Sequence, residues 1–108
     1  MKSKIATLQK IDVKIPSRYR VVFQNDNVTP MEYVVFVLKT FFNYDEDRAA
    51  SKMLQVHNHG SAVIGVYSYS EAETRKELTD KLSKKYNYPL QVLIEEEKWK
   101  NFKKTFDI

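Results

Sequence analysis

The 108-residue sequence predicts an α+β fold, a two-layer sandwich of a small three-stranded antiparallel sheet packed with three helices, in the order β-α-α-β-α-β. Two observations lead to this prediction. Three short runs rich in β-branched or apolar residues alternate with longer stretches of helical apolar spacing. Each helical stretch starts at a Ser, Thr or Asp that can act as an N-cap. Three short strands cannot bury helices on both faces, so one sheet carrying the helices is the simplest arrangement.

The first strand and the first helix are predicted within residues 18–42. Residues 18–24, RYRVVFQ, have the composition of a strand. Thr29 is then a suitable N-cap, Pro30 fits the first helical position, and Glu32 completes a capping box. The helical face that follows is expected to be buried on two sides and contains Met31, Val34, Val35, Val37, Leu38, Phe41 and Phe42.

A second helix and a second strand follow. Asp45 can cap a helix over about residues 46–58, and Gly60 is the expected stop signal. Residues 62–69, AVIGVYSY, form a short apolar run typical of a strand.

The last helix and strand show different apolar spacings. Ser70 and Glu73 make a second capping box, which opens a helix reaching about Tyr86. Its four-spaced apolar line consists of Leu78, Leu82 and Tyr86. After Pro89 the alternation of Leu90, Val92 and Ile94 predicts a half-buried strand.

Composition excludes several classes of protein. The chain is 43% hydrophobic and 30% charged, as expected for one globular domain. No apolar run approaches the ~20 residues of a membrane span, and the N-terminus does not resemble a signal peptide. Without cysteine there is no disulfide framework, thiolate zinc site or cysteine nucleophile. These features predict a cytoplasmic protein.

The basic charge of the chain belongs to its ends. Residues 1–16 and 98–108 each hold four lysines and one aspartate, a charge of +3, whereas residues 17–97 carry −2. We therefore expect a flexible N-terminal tail, a core over 17–97 and a basic, aromatic C-terminal tail. A slightly acidic core argues against a domain that follows a phosphate backbone.

Catalytic and metal-binding signals are weak. His57 and His59 form an HxH pair, but no third ligand is obvious, and an exposed helix-end histidine is the commoner explanation. There is no glycine-rich phosphate loop, GxSxG elbow or HExxH motif. The sequence thus predicts neither an enzyme nor a bound metal or cofactor.

Three polar side chains, Asn25, Asp26 and Asn27, precede the first helix, although capping requires only one acceptor. The commoner explanation for Asn25 and Asp26 is an ordinary turn, in which Asn and Asp tolerate unusual backbone angles, and the alternative is a set of acceptors for a ligand. Met31 and Met53 are likewise compatible with simple core packing. The residues alone leave these alternatives open.

The stretches NDNVTPMEYVVFVLKTFF and MLQVHNHGSAVIGVYSYSEAETRKELT resemble the ClpS family of adaptors, which deliver N-degron substrates to the AAA+ protease ClpAP. The resemblance covers about residues 18–96. It rests on an N-D-x-x-T-P-M-E-[FY]-V run, M-L-x-V-H, G-V-[YF], A-E-T and P-L, all in order and at the family spacing. It implies a binding module that takes a substrate's N-terminal Phe, Leu, Trp or Tyr into an apolar pocket and holds the free α-amine at the rim.

The resemblance also implies the site residues. Asn25 should contact the α-amine, and so should His57, which the resemblance places in the loop after the second helix. Asp26 and Asn27 should assist them. An ammonium has three N–H donors, so it requires about three acceptors when it leaves water. The implied pocket contains Gln24, Thr29, Met31, Val34, Met53, Val56 and Leu90, with Met31 rejecting β-branched side chains.

Two residues depart from the family pattern. Asn27 stands where the family usually has an aspartate, so one acceptor loses its charge. A unit charge pair ~4 Å apart interacts by about 4 kcal/mol at an effective dielectric of 20 and by about 1 kcal/mol in water. Gln24 replaces an aliphatic residue, which is expected to alter the preference among the four side chains.

A second surface should meet the protease. The resemblance assigns docking on the ClpA-type unfoldase N-terminal domain to Ser70, Glu73 and Arg75, with Ser70 in place of an acidic residue. A monomer is expected, without nucleic acid or membrane partners. The alternative function is a basic-tailed interaction domain for RNA or ribosomes, which would bind with a steep salt dependence.

Overall fold

The computed structural model describes residues 17–97, and both predicted tails lie outside this range. The elements follow the predicted order: β1 (Arg18–Gln24), α1 (Met31–Phe41), α2 (Glu46–His59), β2 (Ser61–Tyr67), α3 (Tyr69–Lys85) and β3 (Gln91–Glu97). This order confirms the predicted α+β class.

The sheet is antiparallel, and β1 is its central strand, in the order β2-β1-β3. Phe23 lies opposite Ala62 on one side and Val92 on the other. A register shift between Val21 and Val22 interrupts the pairing with β2. Because β1 is the central strand, the loop that follows Gln24 emerges from the middle of the sheet rather than from its edge.

The core lies between one face of the sheet and the helices. Val21 and Phe23 from β1 are fully buried, as are Val37 and Leu38 from α1. The ring of Phe23 meets that of Phe42 edge-on, with centroids 5.4 Å apart. Burial of these side chains, worth roughly 1.5–3 kcal/mol each, holds the sheet and the helices together in one core.

The predicted two-sided burial of α1 is only partly correct. Tyr33, Val34, Val37 and Leu38 are buried, but Met31 remains 40% exposed. Met31 lies at the surface end of the helix, and it becomes part of the site described below.

The second helix has the predicted boundaries. The Asp45 side chain accepts a hydrogen bond from the Arg48 N–H, at 2.8 Å, which caps the N-terminus. Gly60 ends the helix in the left-handed region, with φ of 87°, where glycine has no steric penalty.

The third helix differs from the prediction in its start and in its buried face. Ser68, not Ser70, is the N-cap, and its hydroxyl accepts from the Glu71 N–H at 3.3 Å. The segment SYSEAE contains two overlapping S-x-x-E patterns, and β2 ends at Tyr67, so the first pattern lies at the helix start. The helix is therefore capped by Ser68, whose hydroxyl also donates to the Glu71 carboxylate at 3.3 Å.

The predicted apolar line of α3 is not its buried face. Leu78 and Tyr86 are 44% and 52% exposed, and Leu82 is only partly buried. The buried residues are Ala72, Thr79 and Ser83. Their small size lets the helix lie close to its neighbours, and the Ser83 hydroxyl bonds to the Tyr33 hydroxyl at 2.8 Å.

Candidate functional site

A cavity of about 190 Å³ opens where the loop after β1 meets the last turns of α2. Eleven residues line it: Gln24, Asn25, Asp26, Asn27, Thr29, Met31, Val34, Met53, Val56, His57 and Leu90. These are the eleven residues that the sequence assigned to amine binding and to the apolar pocket. They come from β1, its following loop, α1, α2 and the residue before β3, and the fold brings all of them together.

The deep part of the cavity is apolar. Val34, Val56 and Leu90 are at most 7% exposed and belong to the main core. Met53 is partly buried, and Met31 is the most exposed of the apolar lining residues. An apolar protein cavity of about 150 Å³ can hold a benzene ring, so this cavity has room for one large apolar side chain.

The loop between β1 and α1 is organised by Asp26. One carboxylate oxygen accepts from the backbone N–H groups of Val28, at 2.8 Å, and Thr29, at 2.6 Å. The other accepts from the Thr29 hydroxyl at 2.8 Å. The predicted Thr29–Glu32 capping box is therefore wrong. Pro30 occupies the N-cap position without a side-chain cap, since the Thr29 hydroxyl is bonded to Asp26 instead.

These bonds also affect the charge of Asp26. Partial burial alone would raise the pKa of the carboxyl, but hydrogen bonds from the Thr29 N–H, the Thr29 hydroxyl and the Val28 N–H lower it below its ordinary value. Asp26 therefore carries a negative charge at neutral pH. With three bonds already accepted, the carboxylate has little remaining capacity for direct bonds and acts mainly as a fixed charge at the cavity rim.

His57 and Asn25 reach the cavity from two segments that are bonded to each other. His57 lies in the last turn of α2, in agreement with the predicted helix over about residues 46–58 and not in the loop after it, where the resemblance had placed it. The backbone N–H of Asn25 donates to the Gly60 carbonyl at 2.9 Å. This bond holds the start of the polar loop against the end of α2, so that Asn25, Asn27 and His57 line one cavity.

The electrostatics of the rim favour a cation. Asp26 contributes a full negative charge. The C-terminal end of α2 adds a partial negative charge, because the helix dipoles sum to about −0.5 charge there. Asn27 is neutral, but its amide oxygen remains an acceptor. The cavity thus combines an apolar interior with an acceptor-rich, negative rim.

The family model of ClpS, the ATP-dependent Clp protease adaptor protein, matches residues 14–93, which is most of the chain. The chain belongs to the ClpS family. The ClpS adapter protein of Hyphomonas neptunium is 44% identical over 93 residues, covering 86% of this chain and 79% of the relative. That of Phenylobacterium zucineum is 40% identical over 97 residues, covering 90% and 89%.

A solved ClpS structure has the same fold. Agrobacterium tumefaciens ClpS2, bound to L-phenylalaninamide, matches with a TM-score of 0.74 at 37% identity, covering 77% of this chain and all of that one. The family and the fold predicted from the sequence are therefore confirmed, and the family is one of Clp protease adaptors.

The surface that the ClpS resemblance assigns to the protease lies at the start of α3. Ser70 is exposed within the first turn, and Glu73 is partly exposed. The Arg75 guanidinium lies over the Tyr67 ring, 4.5 Å from its centroid, and contacts the Glu71 carboxylate at 3.5 Å. None of the three residues lines the cavity.

Two residues that shape these regions, Gly60 and Ser68, were not assigned such roles from the sequence. Gly60 was identified as a helix stop, but its carbonyl also bonds the polar loop. Ser68 fixes the start of α3. The overlapping S-x-x-E patterns could have indicated Ser68, whereas no local pattern predicts the Asn25–Gly60 bond.

Within residues 17–97, no three His, Cys, Asp or Glu side chains come close enough together to bind a metal ion. Over the same range, no helix has the length and apolar character needed to cross a membrane.

Proposed function

We propose that this protein is an adaptor that binds other proteins through a free N-terminal Phe, Leu, Trp or Tyr and delivers them to a ClpA-type AAA+ unfoldase with its ClpP protease. The observation that carries the proposal is the cavity, whose apolar interior and negative, acceptor-rich rim occur within one site. A free N-terminal residue with a large apolar side chain presents the complementary pair of groups.

The proposed binding mode divides the ligand between two environments. The side chain enters the interior formed by Val34, Val56 and Leu90, where roughly 25 cal/mol per Å² of buried apolar surface favours binding. The α-ammonium remains at the rim, where Asn25, Asn27 and the His57 ring accept its hydrogen bonds. The ligand of the A. tumefaciens relative, L-phenylalaninamide, has both groups, which supports this assignment.

Fluorescence anisotropy with four labelled peptides tests binding. The peptides differ only in the first residue: Phe, Leu, Met and N-acetyl-Phe. We expect binding of the Phe and Leu peptides and at least about a 30-fold loss on acetylation, because acetylation removes the charge and blocks the donors. Equal binding of Phe and N-acetyl-Phe would exclude an amine site.

Delivery to the protease requires a separate test. We propose that Ser70, Glu73 and Arg75 contact the N-terminal domain of the unfoldase. Charge reversal at Glu73, Glu73→Lys, should weaken binding of that domain and leave peptide affinity unchanged, because Glu73 does not line the cavity. Glu77→Lys, one turn further along α3 on an exposed position, is the matched control. Equal effects of the two variants would argue against this docking surface.

A further inference from the structure

An apolar groove runs between α1 and α2 next to the cavity. Its volume is about 630 Å³, and Val35 and Phe36 are among the residues that line it. The Phe36 side chain is 51% exposed, which is unusual for so large an apolar residue on a helix next to a binding site. The proposed recognition of a single N-terminal residue uses only Met31 and Met53 of the groove residues.

The groove and the cavity are continuous. Met31 and Met53 line both of them, so these two side chains form the apolar border between the two depressions. The remaining rim of the cavity is formed largely by the polar residues Asn25, Asn27 and His57. If the α-amine of a polypeptide lies against this polar rim, the following residues can therefore leave the cavity over an apolar surface only by crossing Met31 and Met53.

Backbone geometry relates the groove to a particular ligand position. In an extended chain, residues one and three point to the same side and lie roughly 7 Å apart. Along α1, Met31 and Phe36 are separated by five residues, which corresponds to about 7.5 Å of helix rise. Suppose that residue one enters the cavity beside Met31 and that the peptide then runs parallel to the axis of α1. Residue three then reaches the same position along that axis as Phe36, and residue two points to solvent.

We propose that the α1–α2 groove is a second subsite for the substrate polypeptide, which takes an apolar side chain at the third position. This inference rests on the proposed function, since the chain must first be anchored by its N-terminal residue. It adds a sequence preference downstream of the first residue, and Phe36 determines that preference.

The charges along the groove refine the ligand class. Glu32 lies in the groove and has no ion-pair partner within residues 17–97. At the other end Lys39 is paired with Glu46, so these two charges compensate each other. The groove is therefore net negative, and an acidic side chain at position three should be disfavoured relative to an uncharged one.

Peptides that begin Phe-Ser-Leu, Phe-Leu-Ser, Phe-Ser-Ser and Phe-Ser-Asp, with identical remaining residues, test the subsite by anisotropy. We expect Phe-Ser-Leu to bind about three- to tenfold more tightly than Phe-Ser-Ser, as partial burial of one leucine would give. Phe-Leu-Ser should bind within about twofold of Phe-Ser-Ser, and Phe-Ser-Asp should bind most weakly.

Phe36→Ser supplies the variant, and Leu54→Ser is its matched control, because Leu54 is 48% exposed on α2 but does not line the groove. Phe36→Ser should abolish the advantage of Phe-Ser-Leu, whereas Leu54→Ser should keep it. Both substitutions lie at the surface, and thermal unfolding followed by circular dichroism checks that each variant is folded.

L-Phenylalaninamide has no third residue, so its binding tests the cavity assignment separately from the groove subsite. It should bind the wild type and both variants equally. If it binds but leucine at position three gives no advantage, or if the advantage survives Phe36→Ser, the subsite is wrong and the cavity assignment stands. If L-phenylalaninamide fails to bind the folded wild type, the proposed function and this inference both fail.

Discussion

Thr29 donates to both carboxylate oxygens of Asp26, with its backbone N–H at 2.6 Å and its hydroxyl at 2.8 Å. This double contact fixes the loop that carries Asn25 and Asn27 to the cavity. The proposed amine site therefore depends on Asp26, a residue whose main contribution is to hold its neighbours in place.

Asp26→Ala should lower the free energy of unfolding by about 1–2 kcal/mol, because three hydrogen bonds to one carboxylate are lost. Asn27→Ala, in the same exposed loop, should change it by less than about 0.5 kcal/mol. Urea denaturation of both variants measures the difference. Similar values for the two would mean that the Asp26 contacts do not stabilise the loop.

The Asp26 contacts should also give a defined pH dependence. Because its pKa is lower in the folded protein than the ordinary 3.8, the ionised form stabilises the fold, and this contribution is present above pH 3.8. It is lost as the pH falls further, through the lowered pKa. The stability difference between wild type and Asp26→Asn should therefore be constant from pH 8 to 5 and shrink below about pH 3.8. A difference that grows on acidification would contradict the lowered pKa.

Ser68→Ala should destabilise the protein by about 1 kcal/mol through loss of the α3 cap. Ser70→Ala should have little effect on stability, because Ser70 is exposed and lies inside the helix. Thermal unfolding of the pair distinguishes the two overlapping capping boxes. A larger loss of stability for Ser70→Ala than for Ser68→Ala would support Ser70 as the N-cap, as predicted from the sequence.

Asn25→Ala should reduce affinity for a Phe-initiated peptide by at least about tenfold, as loss of a hydrogen bond to a charged group does. It should barely change stability, because the bond from Asn25 to Gly60 uses the backbone N–H, which alanine retains. Asn58→Ala, an exposed residue beside His57 that does not line the cavity, is the control. Unchanged peptide affinity in Asn25→Ala would remove Asn25 from the amine site.

Met31→Ala should allow peptides that begin with Ile or Val to bind. Met31 is at the cavity mouth and 40% exposed, so truncation widens the entrance without opening the core. Anisotropy with Ile-, Val- and Phe-initiated peptides measures the change, and Leu54→Ala serves as a control outside the cavity. Continued rejection of Ile and Val would show that another residue acts as the gate.

The element order and all eleven cavity residues could be predicted from the sequence, but for different reasons. Periodicity and caps such as Asp45 and Gly60 are local signals, and they predicted the helices and strands well. The cavity residues come from five separate segments, and only the resemblance to a family connected them. Without the resemblance, an ordinary turn was the commoner explanation for Asn25 and Asp26.

The errors arose where tertiary structure decides between local alternatives. The hydroxyl of Thr29 can cap a helix or bond to Asp26, and the chain path selects Asp26. On α3 the apolar line was predicted to be the buried face, but Thr79 and Ser83 are buried instead. Their burial is tolerated because the Thr79 hydroxyl donates to the Arg75 carbonyl and the Ser83 hydroxyl bonds to the Tyr33 hydroxyl. Sequence periodicity cannot distinguish such satisfied polar groups from exposed ones.

The single backbone bond from Asn25 to the Gly60 carbonyl has a thermodynamic consequence for recognition. It joins the two halves of the polar rim before any ligand arrives, so their conformational entropy is lost during folding rather than during binding. The main ordering cost left at the encounter is that of the substrate's own first residues. The chain ends of most proteins are poorly ordered. The preformed rim therefore favours binding of polypeptides whose N-terminus is free to move.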